Sequence, residues 1–130
     1  MSAHLNLKPQ SRNYKSRNYK RGLLAEEQAR TAYGHAGYEV LAMRYKTKEG
    51  EIDLIAQKGP LVCFAEVKQR REIDWAAEAI TVRQKQRIFN AAQLWLSAHP
   101  EKANFDCRFD AVLIDRKANI KIIENAWLAF

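Results

Sequence analysis

The pattern of hydrophobic and polar positions predicts one helix near the start of the chain and five strands after it. From Gly22, apolar and small residues recur about every 3.6 positions, a spacing typical of an amphipathic helix, and Gly34 and Gly37 end it. Shorter segments with strand-like patterns follow. These predicted strands cover residues 38–45, 51–57, 61–69, 107–115 and 119–124.

A second, longer helix is predicted between the third and fourth strands. Thr81 and Gln84 have the spacing of a capping box, apolar residues then keep a helical rhythm through Ser97, and Pro100 prevents continuation. Residues 74–80 are predicted to form a loop or a short helix. The order α-β-β-β-α-β-β favours an α/β fold in which helices flank a mixed central β-sheet.

The predicted hairpin of the second and third strands places two acids opposite each other. A connection at residues 58–60 lets Gln57 pair with Val62. In that register Asp53 faces Glu66, because side chains alternate faces along a strand. Apolar residues on both faces indicate a central, partly covered hairpin, where two opposed carboxylates are destabilising unless positive charge lies between them.

Two sources of positive charge remain open at this stage. Lys68 is one, and a divalent cation such as Mg²⁺, which binds through one or two carboxylates and water, is the other. In an alternative interpretation, Glu51 forms a cross-strand ion pair with Lys68 while Asp53 and Glu66 point into water. A register slip of one residue would also put the two acids on different faces.

The chain carries its net charge unevenly. Of 130 residues, 22 are Lys or Arg and 15 are Asp or Glu, for a net charge of +7. Residues 1–21 hold six bases and no acid, which leaves 16 bases and 15 acids in residues 22–130, a net of +1. We therefore predict a disordered basic tail over 1–21, with the tandem repeat SRNYK at 11–20, and one domain over 22–130. The tail either follows a phosphate backbone or is a solvated extension.

Several classes of protein are disfavoured by composition. The chain has no apolar run near the roughly 20 residues of a membrane helix, and residues 1–21 lack the apolar middle of a secretory signal. Cys63 and Cys107 have no CxxC partner, which argues against a structural zinc site and favours reduced thiols. A cytoplasmic protein is the prediction, with an organelle transit segment as the alternative.

The sequence resembles the YraN-like family of small bacterial predicted endonucleases, within the restriction-endonuclease-like superfamily. Residues 50–55 (GEIDLI) and 64–68 (FAEVK) resemble its two central blocks, and Asp53 with residues 66–68 resembles the D…ExK signature of the superfamily. Residues 26–29 with 37–38, together with Lys85, the pair 91–92 and residues 108–110, match further family positions. Ala25 and Ala65 depart from the commoner residues without touching the charged atoms.

The resemblance implies a restriction-endonuclease-like core, similar to archaeal Holliday-junction resolvases, with an active site that binds Mg²⁺ or Mn²⁺. Asp53, Glu66 and the backbone carbonyl of Val67 would hold the metal, and Lys68 would orient water or stabilise developing charge. Glu26 would be a third acid, unless it is an exposed helix carboxylate. Glu51 is predicted to pair with a nearby base rather than to bind metal.

The implied substrate is DNA, with branched or processed structures as candidates, and the implied reaction is phosphodiester hydrolysis. Gln69, Arg70 and Arg71 extend the third strand into a basic loop, and Lys85 flanks the apolar face of the second helix, so these four are the weaker candidates for phosphate contacts. A nucleic-acid-binding module that does not cut and a protein-interaction scaffold are the alternatives. A homodimer is a further possibility, since two-fold DNA substrates would suit one.

Overall fold

A computed structural model describes residues 2–71 and 80–127, with side chains from residue 19 onward. The predicted order of elements is confirmed, with short shifts at the strand ends. The helices are α1 (Ser2–His35) and α2 (Val82–Ser97), and a single 3₁₀ turn covers Pro100–Lys102. The strands are β1 (Glu39–Lys46), β2 (Glu51–Lys58), β3 (Leu61–Gln69), β4 (Asp106–Ile114) and β5 (Ile120–Ile123).

The five strands form one mixed sheet in the order β1-β2-β3-β4-β5. All neighbours are antiparallel except β3 and β4, which are parallel and are connected through α2. The predicted register is confirmed, since Gln57 pairs with Val62 and Ile55 with Phe64. The fold is therefore α/β, with a five-stranded mixed sheet and two helices.

Each helix contributes to a different hydrophobic cluster of the sheet. Ala25, Ala29 and Tyr33 of α1 pack with buried residues such as Leu54 and Val112. The second cluster joins the apolar face of α2 to other side chains of the same strands, Ile55, Phe64, Phe109 and Leu113 among them. Because the central strands are buried on both faces, most of their side chains are apolar, and the charged ones within them, Glu66 and Asp110, are buried too.

The signals that end one helix and begin the other act as predicted. Gly37 has a φ of 91°, and the Tyr38 and Gly37 amides donate to the carbonyls of Tyr33 and Gly34, which is the Schellman arrangement. At the start of α2 the Gln84 amide donates to Thr81 Oγ1, while the Thr81 amide donates to the Gln84 side chain. These local contacts fix where each helix meets the sheet.

Helix α1 begins at Ser2, twenty residues before the predicted start at Gly22. The pentapeptide repeat explains the miss. A five-residue period advances each equivalent side chain by about 140° around a helix, so the repeat displays no lasting apolar stripe. The backbone of the basic segment, residues 2–21, continues α1 as a helix. The division into a disordered basic tail over 1–21 and one domain over 22–130 stays a prediction. The loop or short helix predicted at 74–80 lies mainly outside the described residues.

Asp110 on β4 has a structural role, because it ties α1 to the sheet. Its carboxylate is fully buried and accepts from the Tyr33 hydroxyl at 2.8 Å and from the Asn125 amide at 3.0 Å. Arg108 completes the set by donating to both carboxylate oxygens, at 2.8 and 2.9 Å. Four donors satisfy a charge that would be costly to bury alone.

The described helices include none that is long and apolar enough to cross a membrane.

Candidate active site

The candidate site lies where β2 and β3 separate. Their paired residues run from the turn as far as Leu54 and Ala65, one position short of Asp53 and Glu66. At that point the Val67 amide donates to Asp53 Oδ2 at 2.8 Å, so a side chain takes the place of a ladder partner. Asp53 thereby holds the strands apart and opens a fork with acids on both sides.

The fork also changes which way the side chains of β2 point. Regular alternation would put Ile52 and Leu54 on one face, but Ile52 packs in the cluster with α2 and Leu54 in the cluster with α1. Across the sheet Arg44 of β1 adopts a left-handed φ of 54°, which interrupts the regular pleat at the same level. The strict alternation used for the prediction therefore fails at Asp53.

Val67 directs its backbone into this fork. In a strand the N–H and C=O of one residue face the same neighbour. Because the Val67 amide faces Asp53, its carbonyl is directed toward the β2 side of β3 as well. That orientation agrees with the predicted role of the carbonyl, and its function as a ligand remains a prediction.

Asp53 and Glu66 form a carboxyl pair in which Glu66 holds its proton more tightly than usual. Burial, a hydrogen bond with Asp53 and the negative charge of Asp53 together raise the pKa of Glu66 to about 9. Glu66 is buried within the sheet, whereas Asp53 is half-buried. A proton on Glu66 does what a cation would do there, because it removes the repulsion of like charges.

Lys68 lies next to this carboxyl pair. Its Nζ lies 3.8 Å from Glu66 Oε2, and both side chains are largely shielded from solvent. The predicted ion pair between Glu51 and Lys68 is wrong, since no base of the described residues lies within 4 Å of the Glu51 carboxylate. The strands have already diverged where these two residues would have met.

Glu26 approaches the site from α1, but it has its own partner. Its Oε1 lies 2.9 Å from Arg44 Nε, in an ion pair whose N–H is not aligned for a hydrogen bond. Burial chiefly, with the nearby charge of Asp53, raises the pKa of Glu26 to about 7, although Arg44 opposes the shift. Glu26 is thus a largely buried acid within electrostatic reach of Asp53, and the exposed-carboxylate alternative is wrong.

A cleft of about 260 Å³ opens from the carboxyl pair toward α2. Gln84, Arg87 and Ile88 form its helical wall, opposite Glu51 and the pair itself. Sequence reasoning missed Gln84 and Arg87 as site residues. The signal was available in their spacing, because positions 84, 87 and 88 share one face of a helix.

Close packing at Gly50 holds this wall in place. A Cβ at Gly50 would lie 2.7 Å from the Arg87 carbonyl oxygen and 2.9 Å from Arg87 Cβ. Only glycine lets the turn before β2 approach the backbone of α2 this closely. The Gly50 of the GEIDLI block therefore sets the distance between Arg87 and the acids.

The four weaker candidates separate into two groups. Gln69, Arg70 and Arg71 line a groove of about 760 Å³, together with Val67 and Lys68. Lys85 lines neither the groove nor the cleft, and its Nζ lies 6.0 Å from the Trp127 ring centroid. The prediction that Lys85 contacts phosphate has no support in this placement, because the helix turns Gln84 and Arg87 toward the acids instead.

The chemistry of the fork fits a hard divalent cation. Two carboxyl groups and a carbonyl offer the oxygen donors that Mg²⁺ and Mn²⁺ prefer. Within the described residues no three side chains of the His, Cys, Asp and Glu types gather closely enough to hold a metal by themselves. A cation here would therefore depend on two carboxylates, backbone oxygen, water and substrate.

Comparison with known proteins places these residues in a wider group. The family model described as uncharacterised protein family UPF0102 matches residues 25–114, which include the fork, Lys68 and the α2 wall. This chain belongs to that family. The resemblance to the YraN-like family is thereby confirmed.

UPF0102 proteins of several bacteria resemble this chain closely. One from Bradyrhizobium diazoefficiens is 51% identical over 96 residues, which cover 74% of this chain and 72% of the relative. One from Rhodopseudomonas palustris is 50% identical over 100 residues, 77% and 74% of the two chains. One from Nitrobacter winogradskyi is 53% identical over 93 residues, 72% and 79% of the two chains. None of these names states an activity.

Proposed function

We propose that this UPF0102 protein is a divalent-metal-dependent endonuclease that hydrolyses DNA on a restriction-endonuclease-like core. The observation that carries the proposal is the buried Asp53–Glu66 pair in a strand fork, with Lys68 Nζ 3.8 Å from Glu66. Two acids and a lysine at the end of neighbouring strands are an unfavourable arrangement for stability alone. They are suited to hold a cation against a phosphate.

Each residue of the fork has a separate task in this proposal. Asp53, Glu66 and the Val67 carbonyl hold Mg²⁺ or Mn²⁺, and Glu26 adds negative charge from α1. The bound metal supplies Lewis-acid polarisation of a phosphoryl oxygen and a more acidic water. Lys68 orients the attacking water or stabilises the charge that develops on the phosphate.

Arg87 and Gln84 supply the opposite wall. Arg87 has no carboxylate within 4 Å among the described residues, although three acids line the same cleft. Its guanidinium is therefore available for a phosphate oxygen, and the Gln84 amide can donate beside it. Substrate phosphate entering between the two walls would meet positive charge on one and the metal ligands on the other.

A nucleic-acid-binding module without turnover is the second candidate. The groove beside Lys68 favours it, because five of the described residues that line the groove are bases and none of them is an acid. The two candidates share binding and differ in cleavage. The scaffold alternative predicts neither nucleic-acid binding nor cleavage. The homodimer remains a prediction.

Cleavage of linear, flapped and four-way DNAs tests the proposal. With Mg²⁺ or Mn²⁺ we expect cutting by the wild type, a loss of 100-fold or more in Glu66→Ala and Lys68→Ala, on the order of one removed catalytic donor, and none with EDTA. Glu101→Ala and Lys121→Ala remove exposed charges elsewhere and serve as controls. Cutting that persists in the Glu66 and Lys68 variants would come from a contaminant and would refute the assignment.

A further inference from the structure

The groove beside the carboxyl pair is built from three separate parts of the chain. Helix α1 contributes Arg21 and Gly22, the end of β3 contributes residues 67–71, and the β4–β5 turn contributes Arg116. Arg21 and Arg116 are distant in sequence from the D…ExK blocks. Arg21 was considered only as one base of the tail, and Arg116 was not a candidate on sequence grounds. The fold brings both to the place where β3 leaves the acids.

Four arginines and Lys68 line this groove, and none of the described residues that line it is an acid. Within the part of the chain that the structure describes, Arg21, Arg70, Arg71 and Arg116 have no carboxylate within 4 Å. Arg70 donates to the neighbouring Gln69 carbonyl at 2.7 Å. Like charges gathered on facing walls repel one another unless an anion joins them.

Lys68 connects the groove to the acid pair. It lines the groove, and its Nζ lies 3.8 Å from Glu66 Oε2. Val67 likewise borders the groove, while its amide donates to Asp53. An anionic chain lying in the groove would therefore reach the fork at Lys68 without a gap.

The size of the groove limits what can lie in it. Its volume of about 760 Å³ equals that of a cube about 9 Å on each side. A groove of this size suits a short stretch of one backbone. Positively charged grooves that track one backbone are the usual sites for single strands.

We propose that this groove binds the phosphates of a single nucleic-acid strand that leads away from the carboxyl pair, with Arg21 and Arg116 as its outer phosphate contacts. The inference rests on the proposed function for its direction, since the strand would end at the reacting phosphate. Binding itself needs neither metal nor turnover. Binding of a single strand in the groove and metal-dependent cleavage can therefore be refuted separately.

Fluorescence anisotropy with a labelled single-stranded oligonucleotide in EDTA tests the groove. We expect Arg21→Ala and Arg116→Ala each to weaken binding several-fold and to lower the slope of log K against log salt by about 0.7, the value for one phosphate contact to a single strand. The double variant should lower the slope by about 1.4. Arg116→Lys should restore most of the slope, because it restores the charge.

Arg30→Ala is the matched control. Arg30 is exposed on the same helix, about two and a half turns beyond Arg21 and hence on the opposite face. It should leave the affinity within twofold and the salt slope unchanged. A matching duplex should bind the wild type more weakly than the single strand and should respond less to Arg21→Ala.

Three results would overturn the inference. One is a double variant that binds like Arg30→Ala, and another is a duplex that binds more tightly than the single strand with the same arginine dependence. The third is arginine-dependent binding to phosphatidylserine vesicles with none to the oligonucleotide. The protein could bind a single strand through both arginines and yet not cut with Mg²⁺ or Mn²⁺. That result would support the proposed binding site in the groove and would refute only the proposed nuclease activity.

Discussion

At the scale of single residues, Glu66 links the stability of the protein to pH. Its pKa is about 9 in the folded chain against an ordinary value of 4.5, so folding favours the protonated form. The stability that this group contributes is complete below about pH 4.5 and is lost as pH rises through 9. In EDTA we expect the melting temperature of the wild type to fall by a few degrees between pH 6 and pH 9.5.

Glu66→Gln should remove that dependence, because an amide has no proton to lose. Its melting temperature in EDTA should exceed that of the wild type at pH 9.5 and approach it at pH 6. Thermal unfolding followed by circular dichroism at both values makes the comparison. If the melting temperatures of the wild type and of Glu66→Gln changed in parallel between the two pH values, Glu66 would not hold a proton in the folded chain.

At the scale of the elements, Gly50 fixes α2 against the turn that precedes β2. Gly50→Ala adds a Cβ 2.7 Å from a backbone oxygen of α2, which must then move. We expect a loss of about 1–3 kcal/mol in the free energy of unfolding, the usual cost of overpacking. Cleavage should fall as well, because the shift displaces Arg87 from the acids.

Gly34→Ala is the matched control for this change. Gly34 lies near the end of α1 with open space around its Cβ position, so alanine should be neutral or should stabilise by about 0.5–1 kcal/mol. Urea unfolding of both variants measures the difference. Equal stability in the two proteins would contradict the close packing at Gly50.

The Asp110 network joins α1 and β4 to the residues after β5. Asp110→Ala leaves the largely buried Arg108 with only its contacts to Tyr38 and to the exposed Glu124, and it removes the acceptor of the Tyr33 hydroxyl. We expect a loss of about 3–5 kcal/mol, as for other broken buried pairs. Asp106→Ala on the exposed end of the same strand should change the free energy of unfolding by less than about 0.5 kcal/mol. Similar losses in both variants, measured by urea unfolding, would refute the role of the network.

Elements were predictable from the sequence where a local signal determined them. The two-residue turn at residues 59–60 leaves one sensible register for β2 and β3, so the pairing of Gln57 with Val62 could be foreseen. Capping at Thr81 and the left-handed Gly37 are local in the same sense. The fork at Asp53 was not predictable, because a side chain there replaces a ladder contact.

At the scale of the whole molecule, we expect the basic segment to be dispensable for the folded core. Among the residues of α1 whose side chains the structure describes, those that are buried against the sheet begin at Ala25, beyond the repeat. A chain that starts at residue 19 keeps Arg21 and loses four bases, Lys8, Arg12, Lys15 and Arg17. We expect an unchanged melting temperature and weaker, less salt-dependent binding to oligonucleotides.

The measurements are circular-dichroism melting and anisotropy at several salt concentrations. A large drop in melting temperature would show that the basic segment supports the fold. An unchanged salt slope would show that its charges do not contact nucleic acid.

The residues of this site that come from distant parts of the chain could not be predicted from the sequence. Asp53, Glu66 and Lys68 were found because they lie on one hairpin whose geometry follows from its turn. Arg87 and Arg116 were missed, because their places depend on how α2 and the β4–β5 turn pack against the sheet. The sequence also suggested an ion pair between Glu51 and Lys68, which does not form because the strands have diverged at that point.

Calorimetric titration of Mn²⁺ or Mg²⁺ into the metal-free protein tests the central claim, that the Asp53–Glu66 pair is a divalent-cation site. At neutral pH we expect one binding event in the wild type. Binding should release the proton of Glu66, so the measured heat of binding should depend on the buffer. Asp53→Asn should abolish it, and Glu51→Gln, in the same cleft, should retain it. No binding in the wild type, or equal binding in Asp53→Asn, would contradict the account.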